Sequence, residues 1–226
     1  MSKNMDENKI IEERKEKLLD FLKNKYNWVV YIALAVIVFI AVRIRTLNLS
    51  KLRDVATGGW TLGPDLDPFL FLRWAKYIVA HGSLMVVDTM RFVPLGFHTN
   101  RELLLLPYSI AWFHKLAAIF GSTSVEQSAA LYPVFMFALT VIAFFLFVRK
   151  IFASSMGNKK ASIIALISSF FLSVIPIFIP RTIAGIPEKE SAAFLFLFLA
   201  FYFFLSAWKS EKTPSRIILA LLAGIC

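Results

Sequence analysis

Leu131 to Val148 reads LYPVFMFALTVIAFFLFV and is closed by Arg149-Lys150. The run holds no charged residue and no His, and its length approaches the roughly 20 apolar residues that cross a bilayer as a helix. Three further runs share this character. Ala161 to Ile179 reads ASIIALISSFFLSVIPIFI; Ser191 to Trp208 reads SAAFLFLFLAFYFFLSAW and is closed by Lys209; Trp28 to Val42 reads WVVYIALAVIVFIAV. A fifth run, IILALLAGIC, begins at Ile217 and covers about half a membrane thickness. Over the 226 residues, 58% are apolar and 18% charged, with 23 Phe, and the mean hydropathy is +0.67. Such a chain is neither disordered nor collagen-like nor a coiled coil, and it is too apolar for a soluble domain. The expected fold class is an all-α polytopic membrane protein.

The net charge is +10. No nucleic-acid-binding motif and no arginine-rich run accompany it, so no nucleic-acid partner is expected. Membrane sidedness accounts for the charge. Residues 1–27 hold seven Lys or Arg and read as a cytoplasmic basic leader. The first run follows without a small-residue cleavage site, so residues 28–47 read as an anchoring transmembrane helix and not as a signal peptide. Leu103 to Phe120 is apolar but carries Pro107, His114 and Lys115. Taken as an interfacial helix, it leaves loops 149–160 (four basic residues) and 209–216 (three) on the leader's side and loop 180–190 (two) opposite, as the positive-inside rule favours. Residues 48–126 then form one large external loop with interfacial helices. Residues 127–226 carry transmembrane helices two to four and a shortened fifth. The N-terminus is expected in the cytoplasm and the membrane is expected to be the plasma membrane.

Two carboxylate pairs fall on the external side at the membrane boundary: Asp65-Leu66-Asp67 and Glu188-Lys189-Glu190. One reading is structural. Asp67-Pro68 fits an N-cap followed by Pro at the first helical position, for a helix running to about Ala80, and acids suit the first turn of the span after Pro187. The other reading is that the pairs converge, giving oxygen ligands for a hard divalent cation such as Mg2+ or Mn2+. Cys226 is the lone cysteine, which excludes disulfides and cysteine-based zinc sites. His98 and His114 read as polar residues of loop or interfacial helix. Asn48-Leu49-Ser50 matches the glycosylation acceptor pattern but lies so near a span that chance explains it.

Taken in order, these residues resemble the catalytic subunit of oligosaccharyltransferase, in its archaeal form. The likeness rests on Asp65-Leu66-Asp67-Pro68-Phe69 followed by Arg73, Lys76 and Tyr77; on Asp88, Arg91 and Pro94-Leu95-Gly96; and on Arg181-Thr182-Ile183-Ala184-Gly185-Ile186-Pro187-Glu188-Lys189-Glu190 at the fourth span. It covers residues 28–226. The resemblance implies a GT-C transmembrane helix bundle. It implies transfer of a lipid (dolichyl)-linked oligosaccharide to the Asn amide of N-x-S/T acceptor polypeptides, with Mn2+ or Mg2+ as cofactor. It assigns Asp67 as catalytic residue and metal ligand, Glu188 and Glu190 as further ligands, and Asp65 and Arg91 as supporting residues around them. The family often has Asp where Glu188 stands.

The chain has no WWD motif of the kind with which the family reads its acceptor, so it is expected to be an N-terminal fragment that does not catalyse transfer alone. Two rival readings remain open at this point. Another GT-C glycosyltransferase using a dolichyl-phosphate sugar would generally lack the second acidic loop. A non-catalytic transporter subunit or scaffold would place polar residues inside its spans, where this sequence has little beyond Ser and Thr.

Overall fold

The computed structural model describes residues 25–121 and 124–226. Most of the expected basic leader therefore lies outside the described residues. The first span is helix α1 (Tyr26–Arg45). The external segment contains α2 (Asp67–His81), a two-stranded antiparallel hairpin of β1 (Val87–Asp88) and β2 (Phe97–His98), and α3 (Leu105–Ile119). The chain then enters the bundle through α4 (Val125–Val174), α5 (Lys189–Trp208) and α6 (Thr213–Ile225).

Helices α1, α4 and α5 are each long and apolar enough to cross a membrane. α4 does so twice. At Gly157 the backbone takes φ 76° and ψ 160°, a region open essentially to glycine alone, and the chain folds back on itself. The second and third apolar runs are therefore the two arms of one helical hairpin. The contacts fix which ends meet. Tyr26 donates to the Lys159 carbonyl (2.7 Å), and Lys209 reaches the Lys150 carbonyl and Ser154 Oγ (both 2.9 Å). At the other end, the Ala184 N–H donates to the Arg45 carbonyl (2.9 Å) and the Gly185 N–H to the Ala130 carbonyl (2.8 Å). The bundle thus has a basic end and, opposite it, the end that carries residues 181–190.

Three boundaries differ from the sequence reading. The helix expected to run to Ile179 stops at Val174, because Pro176 has no N–H to donate and biases Ile175 toward extended backbone (φ −63°, ψ 128°). α4 begins before the apolar run, at Val125, where Ser124 accepts a bond from the Gln127 N–H. Asp67 is not the N-cap of α2. Leu66 holds that position without a side-chain bond, and Asp67 is the first helical residue. The 15 residues of α3 span about 22 Å, short of the roughly 30 Å hydrocarbon core.

Two clusters hold the molecule together. Within the bundle, Val30, Leu34, Ile37 and Ala41 form one stripe of α1 against Phe137, Val141, Phe145 and Leu172 of α4. Lipid is as apolar as these side chains, so close packing and small residues bind the helices there. Ala143, Ala165, Ser169 and Ser173 are accordingly buried at the contacts. The second cluster joins α2 and α3 to α4 and α5 through Phe71, Leu72, Ala75, Leu106, Ile110, Ala129 and Leu195. Ion pairs add to it: Lys76 with Glu126, and Lys189 with Glu102.

The hairpin is fixed to α2 by Asp88, which is fully buried. Arg73 embraces its carboxylate with two guanidinium nitrogens, and Trp74 Nε1 donates to it at 2.9 Å. Burial pushes this carboxyl up, but the bonds from Arg73, Trp74 and the Met90 N–H, with the Arg73 charge, outweigh burial and hold it below the usual aspartate range. Its stabilisation is therefore present above that range and is lost as pH falls through it. Asp88→Asn should cost about 1.5–3 kcal/mol near neutral pH, the worth of hydrogen bonds to a charged group. Thermal unfolding in detergent checks this: the deficit against wild type should shrink in acid, and an unchanged melting temperature at neutral pH would refute the assignment.

Candidate active site at the acidic end of the bundle

Between the helical hairpin and α5 the chain makes a tight turn over Thr182–Gly185, and this turn joins three parts of the molecule. The Arg45 side chain and carbonyl hold Thr182 and Ala184. Asn48 Nδ2 donates to the Ala184 carbonyl (2.8 Å). The Gly63 N–H donates to the Gly185 carbonyl (2.8 Å), tying the first external segment to the turn just before Asp65. Gly185 has φ +88°, and a Cβ there would lie 2.7 Å from Leu52 Cδ1 and 3.0 Å from the Gly63 nitrogen. No other residue fits this position without displacing both strands of chain.

The turn sets Arg181 on one side and Glu188 on the other, and the two form an ion pair. Glu188 is buried, at 5% exposure, as the N-cap residue of α5. Burial pushes its carboxyl above the usual range. Arg181 opposes that shift, while a hydrogen bond with Asp65 and the charge of Glu190 add to it. The same carboxylates hold the Arg181 guanidinium above its ordinary value, the bond to Glu188 first, then the charges of Glu188, Glu190 and Asp65. Acids from both pairs therefore meet.

The structure brings together Asp65, Glu188 and Arg181, with Glu190 close enough for its charge to act on both partners of the pair. Asp67 is exposed at the start of α2 and makes no hydrogen bond or ion pair among the described residues. Arg91 lies elsewhere, 4.2 Å over the Phe97 ring, with its charge acting on Glu102. His98 is exposed on β2, and His114 bonds Ser128 (2.9 Å). Asn48 is occupied by the turn. Among the described residues no three His, Cys, Asp or Glu side chains are grouped closely enough to hold a metal ion. The chemistry of the donors, all carboxylate oxygens, suits a hard cation, and the crowding of Asp65 and Glu190 on Glu188 is the charge imbalance that a cation relieves. The sequence reading missed Arg181 as the partner of Glu188, because a turn and not a helix brings them together, and Glu102 as that of Lys189, because they lie 87 positions apart.

The family model for oligosaccharyl transferase STT3, N-terminal, matches residues 35–226. The chain belongs to this family. Its fold is similar to solved archaeal members. One is the archaeal oligosaccharyltransferase AglB from Archaeoglobus fulgidus in complex with an inhibitory peptide and a dolichol-phosphate: 21% identity, TM-score 0.68, covering 89% of this chain and 23% of that one. A second is the A. fulgidus enzyme tethered with an acceptor peptide containing the NVT sequon: 22% identity, TM-score 0.68, 91% of this chain and 24% of that one. A third is the same enzyme in complex with Zn and sulfate: 23% identity, TM-score 0.63, 85% of this chain and 24% of that one. The chain spans about a quarter of the length of these solved proteins. No curated protein sequence matches it. The all-α GT-C-type membrane bundle expected from the sequence is thus the fold observed, and the chain is a multi-pass membrane protein.

The raised carboxyl of Glu188 gives this acidic loop a measurable signature. The folded protein holds this proton more tightly than the unfolded chain, so stability falls as pH rises from the ordinary glutamate range through the raised value. Glu188→Gln carries no charge at any pH. In buffer with a chelator it should melt higher than wild type near pH 7.5 and lose that advantage near pH 4, where Glu188 is itself protonated. A lower melting temperature at both pH values would mean that the pair with Arg181 outweighs the crowding.

Proposed function

We propose that this chain is the N-terminal part of a metal-dependent oligosaccharyltransferase, moving a dolichyl-linked oligosaccharide to the Asn side-chain amide of N-x-S/T acceptor polypeptides. The observation that carries the reading is the meeting of two acidic loops far apart in sequence, joined by the Gly63 N–H to the Gly185 carbonyl, at one end of a bundle of this family. The chain covers about a quarter of its solved neighbours, so the complete protein is the catalyst, and this stretch contributes one wall of the site. The plasma membrane, with residues 1–27 in the cytoplasm, suits the segregation of Arg149, Lys150, Lys159 and Lys209 to the end opposite the acids.

An amide nitrogen is a poor nucleophile because its lone pair is shared with the carbonyl. Asp67, exposed and with no side-chain partner among the described residues, is free to accept hydrogen bonds from the acceptor's NH2 group and to orient it. Asp67 stands apart from Glu188 and Glu190 in this structure; drawn together in the complete protein, the three would hold Mn2+ or Mg2+, and the ion would supply Lewis-acid stabilisation of charge on the departing phosphate. Asp65 lies close enough for its carboxyl to act on Glu188 from the side of the first loop. Arg181 keeps the acids balanced and limits how far Glu188 turns. The placement of the acids at the bundle's end suits a substrate whose polyprenyl tail stays in the bilayer while its phosphate and sugars emerge.

The test is transfer to a fluorescent sequon peptide by the complete protein in detergent. Asp67→Asn is expected to reduce turnover by about 10²–10³-fold, the usual effect of removing one polar group from a reacting centre. A chelator should abolish turnover, and the 226-residue chain alone should show none. Near-normal turnover by Asp67→Asn, or indifference to chelation, would refute the reading.

A further inference from the structure

The geometry points to Arg45 as a positioning residue: from the end of the first span it sets the Thr182–Gly185 turn that carries Arg181 and Glu188 to the acids of the first external loop. Arg45 is fully buried. Among the described residues it has no carboxylate partner; the ion pairs are made by other cations. Its charge is met instead by oxygens and a ring. Nη1 donates to the Ser173 carbonyl (2.9 Å) in the last turn of α4 and to the Ala41 carbonyl (3.3 Å) in the last turn of α1. Both helices present their negative dipole ends there, where a cation is favoured. The guanidinium carbon lies 3.4 Å from the centroid of the Phe137 ring, a cation–π contact out of water.

With that charge anchored, Nε is aimed at the turn. It donates to Thr182 Oγ1 at 2.7 Å, and Thr182 Oγ1 donates onward to the Phe178 carbonyl at 2.5 Å. The Arg45 carbonyl accepts the Ala184 N–H, and Asn48, three residues on, binds the Ala184 carbonyl. The turn is thereby held through one side chain, one N–H and one C=O, all from residues 45–48. The next residue, Gly185, is the one that meets Gly63. A shift of the turn at Thr182 therefore moves the acids of both loops relative to each other. The arrangement needs the guanidinium in particular. One planar fork serves Thr182 through Nε and two carbonyls through Nη1 while its face rests on Phe137; a lysine ammonium has neither the plane nor the fork. Arg43, two residues earlier, is exposed and takes no part.

This role serves the reaction proposed above and rests on that reading for its purpose, but its test does not require turnover. In the full chain, with Cys226→Ser to remove the native thiol, Gly63→Cys and Ile186→Cys create a pair suited to disulfide trapping. A Cβ on Gly63 would lie 3.1 Å from Ile186 Cγ1, the position a cysteine sulfur at 186 would take, so the two side chains are in contact. Helix content and melting temperature in detergent report folding alongside. Arg45→Gln should slow trapping about tenfold or more, on the scale of one charged hydrogen bond lost. Arg45→Lys should restore only part of the rate. Thr182→Val, which removes the Nε contact and leaves Arg45 in place, should slow trapping several-fold with little change in melting. If Arg45→Gln does not fold, the Lys and Val variants decide. Wild-type trapping rates in folded Arg45→Gln, or in both the Lys and Val variants, would overturn the proposal. Mn2+ binding, followed by its EPR signal without the cysteine pair, is read separately. Absence of binding in wild type counts against the oligosaccharyltransferase reading and leaves the trapping result standing; weaker binding in Thr182→Val supports both.

Discussion

A chain that leaves a helix at the edge of a bilayer must find a partner for each backbone N–H and C=O it bares, because lipid offers none. The stretch between Val174 and Lys189 finds many of its partners by borrowing from the rest of the molecule. Its donors go to Arg45, Ala130 and its own short turns, and its acceptors take Asn48 and Gly63. Each of these bonds also fixes a direction. The need to satisfy the backbone is thus the same fact as the placement of the acids, and the external helices are arranged around it.

Above and below this turn the molecule is held by different forces. In the bundle, several buried hydroxyls are satisfied within their own helices, as Thr140 is by the Met136 carbonyl, Ser162 by the Asn158 carbonyl and Ser173 by the Ser169 carbonyl. Many side chains on the outer faces, such as Ile32, Phe39, Ile167 and Phe204, are half or more exposed and suit contact with lipid. In the external part, water makes burial of Phe71, Trp74 and Ile110 favourable in the ordinary way. Charge pairs such as Arg73 with Asp88 are admitted only where several bonds satisfy them.

The spans were legible because length and absence of charge suffice to specify a membrane helix. Helix ends were legible where the chemistry is local. Pro176 was visible but was read through, since the apolar run continues past it, and apolarity says nothing about backbone donors. Asp67 was misread as a cap for the opposite reason: a frequent local pattern stood in for a preference the fold overrode. The acids themselves were visible as residue types. That Asp65 and not Asp67 would act on Glu188 was not visible, because it depends on where Gly63 meets Gly185. Arg45 escaped notice because a basic residue after a span reads as a charge at the membrane surface. Arg43 is that; Arg45, half a helical turn away, is buried.

The bonds at the turn join residues very far apart along the chain: Arg45 to Thr182 across 137 positions, Asn48 to Ala184 across 136, Arg45 to Ser173 across 128. Contacts of such range form late, after the loops between them have lost their freedom. During synthesis α1 emerges long before Thr182 exists, and Arg45 must wait in an unfinished bundle without the oxygens that stabilise it. The acidic cluster comes into being only when the last of its distant partners docks, so a half-inserted chain has no such site at all.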